Sequence, residues 1–288
     1  MKKRAAAFIL LTSISLWVFG GCTRFALRLS PSLIPGLTES FFEECDIELA
    51  ENSIPASLKI LEGLLKRDPE NKAILRALSM GFCGYSLLFV EDMEPERSSD
   101  LYLRSRDYGI KALGFKIDTF VNLDSDGLMS LLRNMGRRDL ETLLWVTVSW
   151  NAWINLNLDR PAALAQFGLS QKCLSQLLRK IPRYQHGLVY ILMGTSLSAL
   201  PPMLGGDPQR AMDSFNKAME ISKGKYFLAQ YYFAKYYAVR VQDKNLFSEL
   251  IADIIRRDPR ELSDSCLINS IIQKKARRLQ EKENDLFF

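Results

Sequence analysis

With 288 residues, 48% of them hydrophobic and 25% charged, the chain can build a substantial core as one large domain or two small ones, which excludes collagen-like and broadly disordered classes. Net charge is +5, and Lys2, Lys3 and Arg4 lie in a segment read below as removable, so the mature chain keeps about +2, no signature of nucleic-acid binding. One histidine, His186, leaves no imidazole pair for zinc and a single candidate base for a Ser or Cys triad.

Residues 1–21 have the three parts of an export signal: a cationic start, an apolar stretch from Ala5 to Phe19, and the small pair Gly20-Gly21. Cys22 follows at once. The run Val18-Phe19-Gly20-Gly21-Cys22 resembles the bacterial lipoprotein box, with Phe19 standing where that box usually has Leu. The resemblance implies cleavage before Cys22 and its acylation, and several acyl chains on one residue give stable anchoring. Residues 22–37, with Pro31 and Pro35, read as a leash between lipid and domain. Export places Cys45, Cys83, Cys173 and Cys266 where disulfides can form. Each sits in an apolar helical pattern that suits a buried free thiol, while four cysteines also allow three pairings. No Cys-x-x-Cys spacing occurs.

From residue 38 to 288 the pattern is all-α. Apolar residues recur at helical spacing, as in Leu58, Leu61, Leu65 and in Leu246, Leu250, Ile254, and strict alternation is nowhere sustained. No mid-chain apolar run reads as a membrane span. Stops repeat: Lys66-Arg67-Asp68-Pro69, Lys180-Ile181-Pro182 and Arg256-Arg257-Asp258-Pro259 each place cations at a helix end and a proline beyond it. Cations suit the negative carboxyl end of the helix dipole, and proline cannot continue the helix. His186 falls on a helix expected after the Pro182 break. The basic tail Lys274, Lys275, Arg277, Arg278 reads as a solvated face.

Repeated punctuation suggests helical hairpins. Tyr190 to Ala218 carries the best copy: Met193-Gly194 falls where a tetratricopeptide repeat has Leu-Gly, and Ala211, Phe215 and Ala218 follow at the spacing of its second helix. Small residues suit a close helix crossing and a large one fills the groove. A weaker copy opens at Met80-Gly81. The expected architecture is one compact domain of degenerate tetratricopeptide-like hairpins.

The Leu200 to Pro208 turn enlarges that hairpin. Gly205 and Gly206 permit angles closed to other residues, and Asp207-Pro208 makes a good helix start. Met203 and Leu204 are apolar on a loop, which suits either a ligand lining or a partner contact. Tyr226 to Tyr237 puts rings all round one helix, and Trp145, Trp150 and Trp153 share another; core filling and ligand lining are both open, with Trp150, Tyr236 and Tyr237 as candidates. Arg104 lies on a helix after the acidic run Glu91-Asp92-Met93-Glu94 and suits either a ligand carboxylate or a salt bridge. No nucleophile, base and orienter come together without His186, and no phosphate-binding loop, metal set or cofactor motif is present, so the chain reads as a binding protein and not an enzyme.

Several segments taken together, Leu101 to Tyr108, Leu144-Trp145 with Trp150, Met203 to Pro208 with Ala211 and Phe215, and Lys235 to Val239 with Gln242-Asp243, resemble the T component of tetratricopeptide-associated TRAP transporters (TatT) over nearly all of the mature chain. That resemblance implies a periplasmic, lipid-anchored homotrimer that pairs with the periplasmic substrate-binding subunit of a TRAP transporter. It also implies a channel or cleft for a small apolar or carboxylate ligand. The alternative is a lipoprotein scaffold that assembles envelope proteins.

Overall fold

The computed structural model describes residues 33–287, and among them there are helices and turns but no strand. In chain order the helices are α1 (Leu33–Glu43), α2 (Ile47–Leu65), α3 (Lys72–Tyr85), α4 (Pro95–Ala112), α5 (Ile117–Val121), α6 (Ser125–Arg133), α7 (Arg137–Asn155) and α8 (Pro161–Lys180). Then follow α9 (Leu188–Ala199), α10 (Pro208–Ser222), α11 (Phe227–Tyr232), α12 (Val239–Val241), α13 (Lys244–Arg256), α14 (Cys266–Glu281) and α15 (Glu283–Leu286). Two π-helical turns interrupt them. Ser86–Val90 extends α3, and Phe233–Ala238 joins α11 to α12.

The predicted stops fall where the chemistry puts them. α2 ends before Pro69, α8 ends with Arg179 and Lys180 before Pro182, and α13 ends with Arg256 before Pro259. Starts are held by acceptor side chains: Asp46, Asn71, Asp124, Asp207 and Asp243 each take a backbone N–H of the following first turn. Proline is not a universal stop, since α2 runs through Pro55.

Neighbouring helices pack side by side, α2 on α3, α3 on α4, α4 on α7, α7 on α8, and α9 on α10. At the α9/α10 contact Gly194 faces Phe215, and a β-carbon on Gly194 would lie 2.8 Å from that ring. Ala211, Phe215 and Ala218 are fully buried, so the small-large-small spacing works as a close crossing filled by one ring. At Met80-Gly81, a β-carbon on Gly81 would meet Leu58 at 2.5 Å, a second close approach.

Four expectations need revision. His186 lies on no α-helix; it belongs to the 3₁₀ turn Tyr184–Gly187, with φ +53°, next to Gln185 at φ +48°. α1 begins inside the stretch read as leash, with Pro35 in its first turn, where a missing N–H breaks no bond. One helix among the described residues, Lys72–Val90, is long and apolar enough to cross a membrane. It serves as core: Ile74, Leu78 and Cys83 are fully buried, and Arg76 on it binds Asp139 of α7 at 3.2 Å. Finally, the cysteines divide: Cys83 and Cys173 are buried free thiols, whereas Cys45 and Cys266 are joined in a disulfide across 221 residues. The signal segment and Cys22 lie outside the described residues.

Candidate functional site

The two π-helical turns meet at one place. A π turn forms when an N–H reaches the carbonyl five residues back, and here Glu91 donates to Ser86 at 2.9 Å and Val239 to Ala234. The first turn delivers Glu91 and Asp92; the second carries Lys235, Tyr236 and Tyr237. α14 supplies the third side.

Asp92 is the centre of this cluster. Its carboxylate lies 2.6 Å from the Lys275 ammonium and 3.6 Å from that of Lys235. Lys275, only 11% exposed in its side chain, also donates to the Leu87 carbonyl at 2.8 Å, at the heart of the first π turn. Lys235 sits 5.4 Å from the Tyr236 ring centre and 5.8 Å from that of Tyr231. Tyr236 meets Tyr232 edge to face at 5.1 Å, and Tyr102 donates to Glu91. The result is a cluster of two ammonium groups and two carboxylates packed among phenol rings.

Electrostatics follow from the geometry. Burial alone would raise the Asp92 carboxyl, but Lys275 and Lys235 overcome it and hold the group below its ordinary value. Burial would likewise lower Lys235, yet Tyr231, Glu91 and Asp92 keep its ammonium above the ordinary value. Burial pushes Tyr231 up to about 12 and raises Tyr102, Tyr232 and Tyr236 further, so all four phenols stay neutral hydrogen-bond donors. Tyr232, Tyr236 and Lys235 nevertheless keep solvent-accessible surface. Of the two lysines, Lys235 lies farther from Asp92 and is the more exposed, 28% against 11%.

The other candidates lie apart from this cluster. Tyr237 turns away, packing on Phe233 at 5.2 Å and pointing its hydroxyl at the Met212 sulfur at 3.7 Å. Trp150 is fully buried, donates to Gln166 Oε1 at 2.8 Å and packs on Phe120, which places it in the core. Arg104 stacks over Phe82 at 4.6 Å and pairs with Glu62, not with the acidic run at 91–94. Burial raises the Glu62 carboxyl, but Lys59, Tyr108 and Arg104 together hold it below its ordinary value, so this cation is committed to the fold. A hollow of about 380 Å³ borders Arg104 and Lys111 at the surface.

The Met203 loop is a built turn. Pro202–Leu204 makes a 3₁₀ turn, Gly205 takes φ +96°, and a β-carbon on Gly206 would collide with the Leu200 carbonyl. Gly206 donates to Pro201 at 3.0 Å, Asp207 donates to Leu197 at 3.1 Å, and the Asp207 carboxylate accepts from Arg210 at 3.0 Å. Met203 projects from this frame with 88% of its surface exposed.

Sequence reading missed Asp92, Lys235 and Lys275 as a set. Lys275 carried a usable signal: it continues the series Ile268, Ile271, Ile272, Ala276, Leu279 on the apolar face of α14, where a merely solvated lysine has no place. The π turns carried none, because an inserted residue leaves the composition unchanged.

Comparison with known proteins gives one family and one relative. The family described as "TRAP transporter T-component" matches residues 43–287. A protein of Treponema pallidum (strain Nichols), described as "Uncharacterized protein", is 24% identical over 269 residues, covering 87% of this chain and 83% of its own length.

Proposed function

Because the chain belongs to the TRAP transporter T-component family and is thereby an accessory component of a transport system, we propose that it works in the periplasm as a lipid-anchored homotrimer. Cys22 is the acylated residue, residues 1–21 are the signal, and the stretch from Cys22 to the start of α1 at Leu33 is the tether of the helical domain. Its partner is the periplasmic substrate-binding subunit of the same transporter. The cluster around Asp92 is the observation that supports a ligand role: Lys235 is desolvated yet reachable, and it is bordered by aromatic faces. A small ligand with a carboxylate and an apolar body fits that chemistry, the carboxylate pairing with Lys235 and the body resting on Tyr231, Tyr232 and Tyr236. Met203 supports a protein contact, since a methionine so exposed on a rigid turn gains only by being covered.

Native mass spectrometry of the protein extracted in detergent tests these assignments together. The expected species is a trimer carrying an acyl group on Cys22, a small acidic ligand lost in Lys235→Gln, and a complex with the substrate-binding subunit weakened in Met203→Asp. A monomer without acyl mass, or a binding subunit that stays separate even after crosslinking, overturns the reading.

A further inference from the structure

Three hollows border α1. One of about 730 Å³ lies between Glu39, Phe42, His186 and Asp264. A second, of about 620 Å³, lies against Ile34, Phe42, Arg138 and Trp145. The third, about 70 Å³, is beneath the helix, between Phe41, Leu58, Met80, Gly84, Tyr85 and Leu267. α1 itself has no buried residue, and its Leu33 and Leu37 are 64% and 38% exposed. Ile34, Phe41 and Phe42 rest on the core, Phe42 with its ring centre 6.4 Å from that of Trp145, but hollows border the helix on three sides, and incompletely packed elements open at low free energy. It is also held covalently: Cys45, two residues beyond its last turn, is bonded to Cys266 at the start of α14.

The small hollow has no charged side chain in its lining. At about 70 Å³ it is well below the ~300–1,000 Å³ of ordinary small-molecule sites, so nothing of that size binds while α1 stays in place. The hollow beneath and the 620 Å³ hollow beside it share Thr38 and Phe42 on α1 and Ala77 and Met80 on α3. Lifting α1 therefore merges them into one groove along α3. Gly84 marks its floor, for a β-carbon there would meet nothing within 4 Å.

We propose that α1 is a strap over an apolar binding groove on α3, that an uncharged hydrocarbon chain occupies this groove by displacing α1, and that the Cys45–Cys266 disulfide is the pin on which the strap swings. This site stands apart from the cluster around Asp92 and does not depend on the role assigned there. The part beneath α1 has no cation or carboxylate in its lining and favours a hydrocarbon chain, while Glu70, Lys72, Arg76, Arg138 and Glu141 border the outer end of the groove.

The test uses the chain carrying Cys22→Ala, purified without detergent, with the neutral fluorophore N-phenyl-1-naphthylamine as probe and 1-dodecanol as competitor. Probe fluorescence should rise on mixing and fall as dodecanol is added. Gly84→Leu, which fills the groove, should weaken probe binding at least tenfold. Hydrogen exchange of the α1 amides should quicken at least tenfold at saturating probe, while α3 stays protected. In Cys45→Ser with Cys266→Ser, α1 should exchange fast even without probe. Probe binding untouched by Gly84→Leu overturns the groove. Unchanged α1 exchange at saturating probe overturns the strap, and that readout on the unsubstituted groove decides the matter if Gly84→Leu does not fold.

Discussion

The carboxylate of Asp92 and the ammonium of Lys275 stand 2.6 Å apart, and the pair ties the turn after α3 to the middle of α14. Removing one member leaves the other desolvated. Asp92→Asn should therefore cost roughly 2 kcal/mol, less than the ~3–5 of a fully buried pair because the Asp92 side chain is 34% exposed. Asp92→Asn with Lys275→Met should cost less than Asp92→Asn alone. Urea denaturation of the two variants checks the order, and a double variant weaker than the single one would contradict it.

Acid should undo the same link. The Asp92 and Glu62 carboxyls are held below their ordinary values in the folded chain, so each contributes stability that is present above the unfolded pKa and lost as pH falls through the folded one. Stability should be level near neutrality and fall below about pH 4. Lys235 works the other way: its raised ammonium pKa stabilises below the ordinary 10.5 and is lost as pH climbs through the folded value. Thermal melts from pH 3 to 7 check the acid limb, and Asp92→Asn should flatten part of it.

Gly194 leaves room for Phe215 and nothing else. Gly194→Val should destabilise the chain by roughly 2 kcal/mol through overpacking. Phe215→Leu, added to it, should recover part of the loss, a recovery visible in the urea midpoint. Equal midpoints for Gly194→Val and the parent would show that the crossing is looser than described.

The disulfide closes a loop of 221 residues. On the chain-entropy account this contributes up to about 5 kcal/mol through the unfolded state. Cys45→Ser with Cys266→Ser should lower the melting temperature while leaving the far-ultraviolet spectrum nearly unchanged. A melting temperature within a degree of the parent would place the constraint outside the cooperative unit.

Cys83 and Cys173 should be inert. Burial pushes both thiols up to about 12, so neither offers a thiolate near neutral pH. In the chain carrying Cys22→Ala, Ellman's reagent at pH 8 should find no fast thiol while the fold holds and two once it is denatured without reductant. One fast thiol in the folded chain would contradict the burial.

Helices were legible wherever a local rule acts alone. Cations before Pro182 and Pro259, and Asp207 before Pro208, mark ends that need only the chemistry of a few adjacent residues. Pro55 shows where that fails, since packing of Ile54 and Leu58 carries α2 through a residue that ought to break it. Trp150 and Tyr236 looked alike in sequence, both large rings on apolar helices. Their fates differ through their neighbours: Gln166 on the next helix accepts from the buried indole, whereas Tyr236 meets Lys235 and Tyr232 of its own helical stretch and stays half-buried. Asp92 could be seen as one acid in an acidic run, but its partners are 143 and 183 residues away along the chain, a distance at which periodicity says nothing.

Stacked hairpins ordinarily come apart from either end, each outer layer peeling without disturbing the next. Here Cys45, in the turn between α1 and α2, and the first residue of α14 share a covalent bond, so the two ends of the fold are tied to one another. Unravelling cannot begin at one extremity and spare the other. A load pulled through the N-terminal segment reaches Cys45 and, through its bond to Cys266, the start of α14 as well.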